Sequence, residues 1–104
     1  MIVYAFNEST GQISAHSECM VPIGHAARHL AVHPDGKRIY VDEEAGNMVT
    51  AYDWDSEAGT LTRTQTLTTL RSGDAESAEA HFATSECELS PDARVLHVSA
   101  GVSL

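Results

Sequence analysis

Basic residues are few in this 104-residue chain: 6 Lys and Arg stand against 15 Asp and Glu, for a net charge of −9. That balance excludes a nucleic-acid binder, which needs cations to displace condensed counterions, and it excludes docking on an anionic membrane. Aromatic residues make up only 6% of the chain, so any core is modest. No apolar run approaches the ~20 residues of a membrane-spanning helix. The opening Met1-Ile2-Val3-Tyr4 has neither a basic n-region nor an extended h-region, so no secretory signal is expected and the expected location is cytoplasmic. The two cysteines, Cys19 and Cys87, form no CxxC pattern and are too few for a disulfide framework; both are expected to be buried free thiols.

What the chain does have is strand composition. Ile2–Phe6, Leu30–His33, Arg38–Val41, Met48–Tyr52, Thr60–Leu67, Cys87–Leu89 and Val95–Ser99 are short, rich in β-branched or aromatic residues, and bounded by turn residues. Gly11–Ser14 is a weaker candidate. Between Arg71 and Ala80 the strand signal lapses into a surface loop, with a short helical turn expected around Ala75–Ala80. The turns repeat. Val3–Ser14 aligns with Ala51–Thr62 at an offset of 48, each with a polar loop closed by glycine, at Gly11 and Gly59. His33-Pro34-Asp35-Gly36-Lys37 aligns with Ser90-Pro91-Asp92-Ala93-Arg94 at an offset of 57, the loop accounting for the extra residues. A unit of roughly 40–50 residues holding four short strands is a β-propeller blade. The expected fold is therefore all-β, with about two blade equivalents of antiparallel four-stranded sheet. Residues 1–24 are read as the last strands of one blade, 25–70 as a full blade, 71–80 as a loop, and 81–104 as the first strands of the next. Propellers close with about 4–8 blades, so the expectation is a fragment of a longer propeller, or a chain that needs further blades or self-association to close.

The run from Gly24 to Val41, Gly-His-Ala-Ala-Arg-His-Leu-Ala-Val-His-Pro-Asp-Gly-Lys-Arg-Ile-Tyr-Val, resembles the "GPRHLAFHPDGKxAYV" signature of the seven-bladed lactonase family. That family includes propeller-type 6-phosphogluconolactonases and carboxymuconate cyclases. The resemblance continues through Glu43-Glu44 ("NE"), Met48–Asp53, Gln65–Leu70 and the Ser90-Pro91-Asp92 turn. It implies a lactonase of the 6-phosphogluconolactonase type, or the related cycloisomerase, in carbohydrate metabolism, acting on a small lactone or carboxylate. No cofactor is implied. The alternative is a non-catalytic propeller segment that serves only as a structural or interaction module.

Hairpin geometry selects the candidate site. Around the Asp35-Gly36 turn, antiparallel partners have numbers summing to about 72. Arg28 then lies opposite Glu44, and His29 opposite Glu43, at the open end bordering a propeller channel. Arg28 is the candidate to bind an anion or stabilise an oxyanion, Glu44 the candidate general acid or base, and His29 the candidate proton relay. The resemblance implies the same Arg and Glu, with further catalytic His and Arg on neighbouring blades. The same geometry puts Ser85, Glu86 and Gly101 in the corresponding places of the next blade. Glu88 replaces a family histidine, and Ala100-Gly101-Val102 replaces a family Asn-Arg-Gly, so a basic residue for an anionic substrate is missing there. His25, His29 and His33 are not expected to share a metal, because His25 and His33 would lie about 26 Å apart in an extended strand. His33 is expected to brace its turn, and His25 to be a loop residue. Asp42-Glu43-Glu44 is expected to be a solvated loop. Tyr4, Phe6, Tyr52 and Trp54 are expected to pack between blades.

Overall fold

A computed structural model describes residues 1–73 and 81–103; the helical turn expected around Ala75–Ala80 lies outside the described residues. Among the described residues eight strands follow one another: β1 (Ile2–Phe6), β2 (Ile13–Glu18), β3 (Ala27–Val32), β4 (Arg38–Glu43), β5 (Met48–Asp55), β6 (Thr60–Thr68), β7 (His81–Leu89) and β8 (Leu96–Ser103). They form three antiparallel sheets, β1-β2, β3-β4-β5-β6 and β7-β8. The four-stranded sheet is one whole blade, and the outer pairs correspond to half-blades, which makes two blade equivalents. Among the described residues no helix is long and apolar enough to cross a membrane.

The repeats read from the sequence recur bond for bond. Asn7 Oδ1 accepts from the amides of Ser9 and Thr10, and Gly11 N donates to Asn7 O. Forty-eight residues on, Asp55 Oδ1 accepts from the amides of Glu57 and Ala58, and Gly59 N donates to Asp55 O. In the other pair of turns, Gly36 N donates to His33 O while Ala93 N donates to Ser90 O. Asp35 accepts from Lys37 N, and Asp92 from Arg94 N. His33 Nδ1 accepts from Asp35 N at 3.1 Å, so this histidine does brace its turn. The hydrogen bond from Lys37 N holds the Asp35 carboxyl below its usual range, and that from Ser90 does the same for Asp92.

One repeat position is mismatched. Gly36 has φ 70°, which glycine adopts freely, but its counterpart Ala93 has φ 56°. For a residue with a Cβ this region costs about 1–2 kcal/mol. Replacing Ala93 with glycine removes that strain but loosens the unfolded chain by about 0.4–1 kcal/mol. The expected net gain from Ala93→Gly is therefore roughly 0.5 kcal/mol, read as a higher urea midpoint at unchanged slope; a lower midpoint would contradict it.

The sheets stand side by side and do not wrap one core. The radius of gyration is 15.5 Å, against ~13 Å for a compact domain of this length. β3 and β4 pack against β7, where Cys87 is buried with its Sγ 3.9 Å from Tyr40 O, while Val41 and Tyr52 are buried on the other face of the four-stranded sheet. Burial is the main cause that pushes the Cys87 thiol up to about 11, with help from the charges of Asp42 and Glu86. Cys87 is buried and Cys19 half-buried, and both are free. On the other flank, His16 Nε2 and Ser17 Oγ donate to the carbonyls of Ala58 and Gly59, both at 2.7 Å, which fastens β2 to the β5–β6 turn. The expected aromatic packing is uneven. Tyr52 is fully buried, whereas its repeat-mate Tyr4 is 50% exposed and Phe6 64% exposed. The reason is that Tyr52 sits in β5, between β4 and β6 of the complete blade, while Tyr4 and Phe6 sit in a two-stranded sheet.

Candidate functional site

The β3–β4 hairpin builds the site. From the turn outward its ladder pairs Val32 with Ile39, Ala31 with Tyr40 and Leu30 with Val41, then resumes at Ala27 with Glu43. The partner sum is therefore 71 near the turn and 70 at the open end, where the sequence reading expects 72. A bulge causes the shift: Arg28 and His29 together face the single residue Asp42. The ladder bond lost in the bulge is replaced by a side chain, since His29 N donates to Asp42 Oδ1 at 2.5 Å. Asp42 is fully buried, and its second oxygen accepts no hydrogen bond from the described residues.

Despite the changed register, Arg28 and Glu44 meet. Arg28 Nη1 lies 3.3 Å from Glu44 Oε1, with both side chains 44% exposed. His29 does not face Glu43; its Nδ1 lies 3.7 Å from Glu86 Oε1 on β7. The neighbouring sheet is tied to the same corner by a backbone bond from Thr84 N to Glu44 O. Arg28, His29 and Glu44 are thus gathered at one end of the blade, joined by Glu86. Lys37 and Arg38 lie at the opposite, turn end of the hairpin. The site consequently combines one guanidinium with the carboxylates of Glu44 and Glu86, above the buried Asp42 and Glu43.

Asp42 and Glu43 are not a solvated loop. Both are buried in β4, a strand flanked by β3 and β5; successive side chains point to opposite faces, Asp42 towards Cys87 of β7 and Glu43 towards His25 and Thr50. Glu43 finds donors there: His25 Nδ1 at 2.6 Å and Thr50 Oγ1 at 2.8 Å, with Thr50 Oγ1 in turn 3.0 Å from Thr66 Oγ1. His25, expected to be a loop residue, is therefore the partner of a buried carboxylate. The one sequence signal for it is Gly46, whose missing side chain leaves room for the imidazole; a Cβ there would come within 2.7 Å of His25 Cγ. His25 and His33 stand at opposite ends of the hairpin. Among the described residues no three His, Cys, Asp or Glu side chains converge as a metal-binding set.

The family profile described as "Lactonase, 7-bladed beta-propeller" matches residues 1–101. The chain belongs to this family. A 6-phosphogluconolactonase of Pectobacterium carotovorum subsp. carotovorum (strain PC1) is 29% identical over 93 residues, which are 88% of this chain and 27% of that protein. The 6-phosphogluconolactonase of Pectobacterium atrosepticum is 27% identical over an equal span. Among solved structures, a protein from Lactobacillus plantarum superposes with a TM-score of 0.85 at 26% identity, covering 97% of this chain and 28% of that one. The periplasmic gluconolactonase of Pseudomonas aeruginosa superposes with a TM-score of 0.67 at 26% identity, covering 78% of this chain and 21% of that one. This lactonase-family chain spans little more than a quarter of its relatives' length, the share that two blades of seven would take.

Proposed function

We propose that this chain carries one wall of a sugar-lactone hydrolase site of the 6-phosphogluconolactonase type, with Arg28 and Glu44 as catalytic residues and His29 as proton relay. The observation that carries the reading is the Arg28–Glu44 pair, held at the open end of the hairpin by the bulge and bordered by Glu86 of the adjoining sheet. In hydrolysis, Glu44 takes a proton from water as the water oxygen bonds to the lactone carbonyl carbon. Arg28 directs its rigid donors at the carbonyl oxygen, which becomes an oxyanion. Collapse of this intermediate breaks the ring carbon–oxygen bond, His29 gives its proton to the departing alkoxide, and the proton taken up by Glu44 then passes through solvent to His29 and restores both groups. The product is the open hydroxy acid.

The surrounding charge favours an uncharged sugar lactone over a phosphorylated one. Arg28 is paired with Glu44, Glu86 and Asp42 flank the adjacent His29, and Gly101 brings no side chain to the corresponding place on β8. The two free thiols are in keeping with a reducing, cytoplasmic compartment. Gly101 also favours the second reading, a non-catalytic propeller segment. A pH-stat assay of the protein separates the two. Base consumption on glucono-δ-lactone well above the uncatalysed rate, and faster than on the phosphorylated lactone, is the expected result. The uncatalysed rate on both substrates would leave only the structural module.

A further inference from the structure

Two polar side chains beneath the Arg28–Glu44 pair take no part in the chemistry above. Glu43 has a side chain only 1% exposed, yet both its oxygens are engaged, one by Thr50 Oγ1 and one by His25 Nδ1. A buried carboxylate this well served is strongly held in place. Glu43 also anchors the chain on both sides of a strained residue. Its side chain holds His25, and its ladder position holds Ala27. Between them Ala26 sits at φ 55°, a region that a residue with a Cβ rarely occupies unless its surroundings enforce it.

The backbone of this clamped segment reaches the site directly. Ala26 O accepts from Glu44 N at 2.9 Å, and His25 O accepts from the amides of Ala45 and Gly46, both at 3.1 Å. Arg28 begins two residues after the strained Ala26, in the bulge. The relative height of Arg28 and Glu44 is therefore set through His25, Ala26 and Glu43. We propose that His25 and Glu43 are positioning residues for the Arg28–Glu44 pair. The kinetic consequence rests on the lactonase reading; the geometric consequence does not.

Three variants test this, each measured in the full chain for steady-state lactone hydrolysis and for the NMR resonance of the Arg28 side-chain Nε–H. His25→Ala removes the donor. Gly46→Ala leaves every polar group in place but drives a Cβ into the imidazole, 2.7 Å from Cγ and 2.8 Å from Nδ1. His25→Asn returns an N–H donor at nearly the position of Nδ1. A displacement near 1 Å costs about 10²-fold in rate, so kcat is expected to fall about 10–100-fold in His25→Ala and Gly46→Ala, with KM changed less than about 3-fold. The Arg28 resonance is expected to shift in both variants, and both readouts are expected to return towards wild type in His25→Asn. Unchanged kcat and an unchanged resonance in folded His25→Ala and Gly46→Ala overturn the proposal. So does a loss of activity that tracks loss of β-sheet circular dichroism and is not restored by asparagine. Absence of turnover in the wild type would defeat the lactonase reading alone, and the resonance would then decide the positioning role.

Discussion

Replacing Arg28 with alanine is expected to lower kcat/KM for sugar-lactone hydrolysis by about 10²–10³-fold, the range seen when one oxyanion donor is removed. Glu44→Gln is expected to lose about 10²–10⁴-fold, the usual contribution of a general base. Neither change should unfold the protein. The pair is 44% exposed on each side, and an ion pair of that exposure contributes only about 0–1 kcal/mol to stability. The contrast discriminates. A structural ion pair predicts a small loss of stability and no kinetic effect, whereas a catalytic pair predicts a large kinetic effect at nearly constant stability. Thermal midpoints within a few degrees of wild type, measured on the samples used for kinetics, secure the interpretation. Glutamine retains the size and hydrogen-bonding capacity of Glu44 but cannot accept the proton of the attacking water. Its effect should therefore fall on kcat more than on KM.

The second large effect is on folding. Tyr52→Ala should cost about 3–5 kcal/mol, because a fully buried ring is lost from the complete blade. Against a typical total of about 5–15 kcal/mol, that removes much of the stability. Its repeat-mate Tyr4, 50% exposed, should cost about 1 kcal/mol in the same 104-residue chain. Tyr52→Phe separates ring from hydroxyl. The Tyr52 hydroxyl is buried with no hydrogen-bond partner among the described residues, and burial raises its pKa, so the phenol stays neutral. Removing it should be neutral or slightly stabilising. Urea unfolding of the three variants checks this. Equal losses for Tyr4→Ala and Tyr52→Ala would contradict the inequality of the two repeats.

The turns were the most legible part of the chain. Asn7, Gly11, Asp55, Gly59, Pro34 and Gly36 each act within a few residues, through a side-chain acceptor, a fixed φ or a positive φ, so local sequence determines the outcome. β1 runs over Ile2–Phe6 as its composition predicts. β2 was harder to see, since Ile13–Glu18 is an Ile-Ser-Ala-His-Ser-Glu run almost without apolar alternation. β7 begins at His81, well before the alternating Cys87-Glu88-Leu89, because pairing with β8 carries the polar Thr84-Ser85-Glu86 stretch into the sheet.

At the site, Arg28, Glu44 and His29 could be placed at one end by counting from the turn. The bulge could not be counted. It involves no glycine or proline, and it depends on the Asp42 side chain taking over a ladder bond. His25 escaped for a related reason. Its role depends on Glu43 being buried, and Glu43 is met there by Thr50 of β5, backed by Thr66 of β6, farther along the chain. A row of three acidic residues reads as solvated until the strands that cover it are known.

The double variant Arg28→Ala/Glu44→Gln decides whether the two residues act as one site on a lactone. If they do, its kcat/KM on glucono-δ-lactone falls no further than that of the more damaged single variant, because residues that act as a unit are not additive. Losses that multiply would show two independent contributions. Rates for wild type, both single variants and the double variant that all equal the uncatalysed reaction would contradict the catalytic account outright.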